Sequence, residues 1–271
     1  MRFSFRRPAP GGVRSRANTT RAGRVDIVGG GPGPADLMTL RAHRLLAEAD
    51  VVVADRLGPA DEVRTQLDPD VLIIDVGKAP GRDPIPQAQI NALLVAHARA
   101  GMRVVRLKGG DPFLLGRGGE EVFACEAAGI PVSVTPGVSS AISAPQAAGI
   151  PVTHRGVASG LHVVNGQGPF TGSTLASLAD PTVTTVVLMG VAALPRLVDA
   201  ALGHGIPVDR PVAIVESAHT PRQRTLRSTL GAVVEEAASA DMTNPAVIVI
   251  GDVARAGLLL PAPSLYAESS M

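Results

Sequence analysis

From Val25 onward, short apolar runs alternate with stretches whose apolar residues recur at helical spacing, and that alternation predicts α/β construction. In the first half the runs predict strands at Val25–Val28, Val51–Ala54, Val71–Val76, Arg103–Leu107 and Val132–Thr135. Helices are expected at Leu37–Ala47, Pro86–Ala98 and Gly119–Ala128, the second opening on Pro and the third stopping at Gly129. Around Pro136–Pro151 the texture changes to small residues, Pro and Gly, which reads as a crossover between domains. Beyond it come strands near Leu161–Asn165, Val183–Met189, Val212–Glu216, Thr225–Ser228 and Ala246–Ile250, with helices near Thr174–Leu178, Leu194–Leu202 and Leu230–Ala240. The expected organisation is two α/β domains, 25–137 and 138–255. An Arg-rich extension, 1–24, precedes them, and a loosely attached tail, 256–271, follows.

Composition narrows the function. Hydrophobic residues make up 45% and charged residues 18% of 271, which suits a packed core and not a disordered or coiled-coil chain. No apolar run reaches the roughly 18 residues a spanning helix needs, so no membrane partner is expected. Five Phe, one Tyr and no Trp leave little for stacking single-stranded nucleic acid. The charge is uneven: residues 1–24 carry seven arginines and no acid, while the rest holds 18 basic and 24 acidic side chains, net −6. An overall pI near 8 therefore says nothing of a basic nucleic-acid face on the folded part, and no nucleic-acid partner is expected. The arginine-rich start reads as an unstructured extension of a cytoplasmic protein, with an organelle transit peptide as the alternative. Pro8, Pro10, Gly11 and Gly12 break any amphipathic helix there. A single cysteine, Cys125, rules out an intramolecular disulfide, and the six histidines show no HExxH spacing, so no metal site is expected.

Two glycine clusters carry the candidate chemistry. Val28-Gly29-Gly30-Gly31-Pro32-Gly33-Pro34 follows a predicted strand and precedes a helix. Glycines there let the backbone approach a ligand, since they add no side chain and permit positive φ. A dinucleotide fingerprint needs Gly at position 34, where Pro34 stands, so a ligand loop and a plain tight turn both remain open. The second cluster runs from Lys108-Gly109-Gly110-Asp111 through Gly116-Arg117-Gly118-Gly119-Glu120-Glu121 and also follows a strand. It lacks the Gly-Lys-Ser/Thr ending of a P-loop and suits backbone capture of a small polar ligand, with a mere loop as the alternative. The chain uses 23 Arg but only two Lys, Lys78 and Lys108, both just after predicted strands. Either they need an ammonium that can exchange a proton, or their placement is chance. Asp55, directly after Val51–Ala54, is a candidate general base or a helix cap.

Taken in order, these segments resemble the tetrapyrrole methylases. The resemblance rests on the first glycine loop with Leu37-Met38-Thr39-Leu40, on Asp55-Arg56-Leu57 and on Val76-Gly77-Lys78. It continues through the long block Arg103–Phe113 with Gly116–Glu121, then Pro136-Gly137 with Ser139-Ser140, and Thr153-His154-Arg155. It covers about residues 25 to 254 and is tightest to the branch acting on uroporphyrinogen III. The chain departs from the family's usual residues at Pro34, at Leu115, and at Ala218, which stands where a cofactor-contacting glycine is usual.

The resemblance implies a homodimer of two-domain α/β subunits with S-adenosylmethionine (SAM) in the interdomain cleft. It implies methylation of uroporphyrinogen III at carbons 2 and 7, giving precorrin-2 for cobalamin or sirohaem. Pro32, Gly109, Gly110, Asp111, Leu114, Ser139, Ser140, Met189 and Ala218 would line the cofactor site. Asp55 would be the proton acceptor and Lys78 the proton donor, with Arg56, Arg117, His154 and Arg155 as substrate contacts. The alternatives are a later precorrin substrate on the same fold, or a non-catalytic SAM-binding protein.

Overall fold

The computed structural model describes residues 22–55, 63–65, 67–77 and 85–259. Its first half is a parallel five-stranded sheet in the order β3-β2-β4-β1-β5. The strands are β1 (Arg24–Gly29), β2 (Val51–Ala54), β3 (Leu72–Asp75), β4 (Arg103–Lys108) and β5 (Val132–Thr135). Around them lie α1 (Leu40–Ala47), α2 (Gln87–Arg99) and α3 (Gly118–Ala127). Because side chains alternate across a strand, each central strand fills two cores. Val25, Ile27, Val51, Val53 and Val104 pack with Ile90 and Leu94 of α2 and Cys125 of α3. Val28, Val52, Val105 and Leu107 pack with Ala42, Leu45 and Leu46 of α1 on the opposite face. Burial on both faces is why these strands read as near-continuous Val/Ile runs.

The second half is a mixed sheet, β6-β7-β10-β8-β9, in which only β6 and β7 pair in parallel. Its strands are β6 (Gly160–Asn165), β7 (Val183–Leu188), β8 (Pro211–Glu216), β9 (Arg224–Thr229) and β10 (Ala246–Ile250). One face packs on α5 (Gly172–Ala179), α6 (Leu194–Gly203) and α7 (Val233–Ser239). The other face is covered by α4 (Ser140–Ala147), whose Ala141 and Ala144 sit against Val186, Ala213, Val215, Val247 and Val249.

The structure departs from the sequence reading in four places. The segment read as a featureless crossover contains α4, disguised by small residues and by Pro145 inside the helix. Those small residues let the helix lie close to its sheet. The expected helix at Leu37–Ala47 is divided into a 3-10 turn, Ala35–Leu37, and α1. Strand β1 begins at Arg24, one residue inside the expected extension, and Arg24 Nε donates to buried Asp26 at 2.9 Å. Leu258 packs against the second core, so the first residues of the expected loose tail are docked. Residues 1–21 and 260–271 lie outside the described residues. Among the described residues, no helix is long and apolar enough to cross a membrane, and no group of three metal-ligating side chains occurs.

Candidate active site

The loops that leave β1, β4 and β5 converge because those strands are adjacent and parallel. Gly110 N–H donates to the Gly31 carbonyl at 2.7 Å and Gly31 N–H donates back to Gly110 at 3.3 Å, zipping the two glycine clusters together. A Cβ on Gly137 would lie 2.2 Å from the Gly110 carbonyl and one on Gly29 would lie 2.5 Å from the Gly137 nitrogen, so only glycine fits this crossing. Asp111 fixes the junction from the side. Its Oδ1 accepts from Phe113 N–H at 2.9 Å and its Oδ2 from Gly137 N–H at 3.1 Å.

Gly110 has φ +65°, and a Cβ there would meet nothing closer than Ser140 N at 3.9 Å and Ser139 Cα at 4.0 Å. It faces the start of α4, which Ser139 caps by accepting from Ala141 N–H at 3.1 Å. Leu114, leaving β4's loop, packs into the second core beside Ala141 and Ala218. The two halves therefore meet along the line Gly110–Ser140–Leu114.

From the second sheet, the ends of β7 and β8 supply Met189 and the loop Ser217–Gln223. His219 Nε2 donates to the Ser143 carbonyl at 2.9 Å and Gln223 Nε2 to the Ala147 carbonyl at 3.0 Å, fastening that loop along α4. Of the six described non-glycine residues with positive φ, five lie in these loops: Leu115, Arg117, Met189, Ser217 and His219. Such conformations cost energy and gather at ligand sites. Ala218, between two of them, has no positive φ, so its backbone conformation does not call for glycine.

Beside these loops lies a ring of charges set by strand parity. Val53 of β2 pairs with Arg106 of β4, and Asp55 N–H continues the ladder to the Leu107 carbonyl at 3.0 Å. Asp55, Arg106 and Lys108 therefore share the face beneath α3. Arg106 Nη2 donates to Asp55 Oδ1 at 2.6 Å and Arg106 Nε to Glu121 Oε1 at 2.9 Å. Lys108 Nζ reaches the same Glu121 oxygen at 3.1 Å and Asp55 Oδ2 at 3.9 Å. Gln87 Nε2 adds a third donor to Glu121 Oε1 at 3.1 Å. The Arg106, Lys108 and Glu121 side chains are 2%, 5% and 0% exposed, whereas Asp55 is 28% exposed. Burial, reinforced by Arg106, pulls the Lys108 ammonium below the ordinary lysine range, while Glu121 and Asp55 oppose that shift.

The structure thus gathers Gly109, Gly110, Asp111, Leu114, Ser139, Ser140 and Ala218 at one junction, with Pro32 between Gly31 and Gly33 on the adjoining loop and Met189 at the same edge of the second sheet. Arg117 is exposed and grips Glu120 through two hydrogen bonds of 2.8 Å. His154 and Arg155 sit in a turn bridged from His154 to Ala158, leading into the end of β6 opposite Met189. Among the described residues, no hydrogen bond or ion pair joins that turn to the glycine loops. Arg56 and Lys78 lie outside the described residues. Sequence reasoning gave Glu121 and Gln87 no role. The available signal for Glu121 was its position four residues before apolar Cys125, on the same helix face.

Comparison with known proteins gives the family. The profile of the tetrapyrrole (corrin/porphyrin) methylases matches residues 24–234. A uroporphyrinogen-III C-methyltransferase of Paracoccus denitrificans is 45% identical over 249 residues, 91% of this chain and 85% of that protein. A siroheme synthase of Gluconobacter oxydans is 42% identical, and the chain, 89% of it aligned, spans about half (51%) of that longer protein. Among solved structures, the uroporphyrin-III C-methyltransferase of Thermus thermophilus, complexed with S-adenosylhomocysteine, is 40% identical. It superposes with a TM-score of 0.72 over 85% of this chain and 98% of that one. Matched from β1 into α7 and alike along 91% of its length to a relative of similar extent, the chain belongs to the tetrapyrrole methylase family.

Proposed function

We propose that this protein transfers methyl groups from SAM to carbons 2 and 7 of uroporphyrinogen III, giving precorrin-2. The similarity to the Paracoccus and Thermus enzymes supports the substrate and the cofactor. One observation carries the chemistry: Asp55 is the only member of the charge ring with an open face, at the carboxyl end of β2 and beside the strand that bears the Gly109–Asp111 loop.

The junction suits the cofactor. At Gly110, positive φ and the open space toward Ser139 and Ser140 leave a backbone cradle that a Cβ would fill. When bound, SAM supplies an electrophilic methyl group. The protein's task is then orientation and proton management. Gly109, Gly110 and Ser140 would present backbone groups to the cofactor, Leu114 and Ala218 an apolar wall, and Met189 would close the far side. An electron-rich pyrrole carbon that gains a methyl group acquires positive charge, relieved by loss of a proton. Asp55 would accept that proton, its orientation held by Arg106. The macrocycle's eight carboxylates would be met by exposed basic groups such as Arg117 and Arg155. Pairing of two copies is carried by the family resemblance alone.

The experiment is to incubate the protein with SAM and enzymatically generated uroporphyrinogen III and to count added methyl groups by mass spectrometry. Two are expected. None, with SAM bound, would move the substrate to a later precorrin or remove catalysis altogether.

A further inference from the structure

The charge ring contains more than the proposed reaction uses. Asp55, Arg106, Glu121 and Lys108 form a closed circuit in which acid and base alternate, yet only Asp55 has an open face. Glu121 is the anomaly. It is fully buried, its Oε1 takes three donors, and its Oε2 is buried with no partner. Buried ion pairs are seldom needed for stability, since well-packed apolar groups serve as well or better. A carboxylate kept here at that cost calls for a use.

We propose that Glu121 is a positioning residue that keeps Asp55 able to accept a proton, by cancelling part of the positive charge that Arg106 and Lys108 direct at it. The inference rests on the reading of Asp55 as proton acceptor. Each cation is shared between the two carboxylates: Arg106 at 2.6 Å from Asp55 and 2.9 Å from Glu121, Lys108 at 3.9 Å and 3.1 Å. With Glu121 ionised the ring is neutral. Without it, one carboxylate faces two cations, and a carboxylate so placed releases its charge to a proton reluctantly. Glu121 also favours the charged form of Lys108, against the downward pull of burial.

Among the described residues, the groups facing Asp55 are few. Strand β4 contributes Arg106 and Lys108, α3 contributes Glu121, and α2 contributes neutral Gln87 one step behind. On β3, Asp75 is the residue opposite Ala54, and its Oδ1 accepts from Gly77 N–H at 2.9 Å. Arg56 lies outside the described residues.

The test is the pH dependence of single-turnover methyl transfer to uroporphyrinogen III at saturating SAM, for wild type, Glu121→Gln, Lys108→Met and Asp55→Asn. Glu121→Gln removes an anion while keeping the side chain's shape, so the acid limb should move to lower pH by about one unit, with a slower plateau. Lys108→Met removes a cation, so the limb should move to higher pH. A purely structural ring predicts lower melting temperatures in both variants with the limb unmoved, and that result overturns the inference. If one of the two fails to fold, the displacement of the other, in its stated direction, decides. Asp55→Asn separates the two readings. If it keeps wild-type rate and limb, the acceptor assignment itself falls. If it is slow while the limb stays fixed in Glu121→Gln and Lys108→Met, only the positioning role falls.

Discussion

Asp111 is tied to Gly137 across the mouth of the first sheet: its Oδ2 accepts the Gly137 N–H at 3.1 Å while its Oδ1 accepts Phe113 N–H at 2.9 Å. The carboxylate therefore acts first on the protein, joining the loop after β4 to the loop after β5. Asn offers one acceptor where Asp offers two, so Asp111→Asn should leave one N–H facing an amide NH2. The expected loss is about 1–3 kcal/mol of stability, read from denaturant unfolding, with weaker SAM binding by calorimetry. An unchanged unfolding midpoint would show that the bridge does not hold the loops.

Gly110 tests the cradle itself. Its φ of +65° is strained for any residue with a Cβ, and that Cβ would enter the space before Ser140. Gly110→Ala should cost about 1–2 kcal/mol and weaken SAM by more than about tenfold, or 1.4 kcal/mol. Gly119 is the control: in α3, with nothing within 4 Å of a built Cβ, Gly119→Ala should be neutral or stabilising. Equal SAM affinity in both variants would separate Gly110 from the cofactor.

The strands were legible because burial on both faces leaves uninterrupted apolar runs, as in β2 and β10. The glycine loops were legible because close backbone crossings such as Gly29–Gly137 admit no other residue. Helix α4 was hidden because its buried face is made of Ala, Ser and Pro145, which carry little hydrophobic contrast, although Ser139 caps its start and Gly149, at φ +67°, follows its last turn. The charge ring was half legible. The parity of Val104, Arg106 and Lys108 puts both cations on one face, and Lys108 already stood out as one of two lysines. Its partner Glu121 is 13 residues away and joins them only when α3 docks, which no local pattern announces.

Cys125 gives a chemical check on the first core. It is fully buried against the sheet, and burial pushes its thiol up to about 11. The thiolate is the reactive form, so at pH 8 the native protein should resist alkylation and take one label per chain only after unfolding. Prompt labelling of the folded protein would mean that the packing of α3 is looser than described, and with it the seat of Glu121.

Asp55 separates catalysis from architecture. Its carboxylate is held by Arg106 at 2.6 Å and is the ring's only open member. Asp55→Asn keeps the shape and leaves Arg106 bound to Glu121, the Val53 carbonyl and the Leu107 carbonyl, so the fold should survive. Removing a general base typically slows a reaction by about 10²–10⁴-fold, roughly 2.7–5.5 kcal/mol of barrier. Turnover should fall by that much in a single-turnover assay at saturating SAM. Cofactor affinity should scarcely move, because the Gly110–Ser140 cradle is built from other strands' loops. If Asp55 merely neutralised Arg106, the pattern would invert: an amide leaves that cation less well paired, so the melting temperature would drop while the rate stayed near wild type. A slow, stable, SAM-competent Asp55→Asn protein is the outcome that the ring's one open carboxylate predicts.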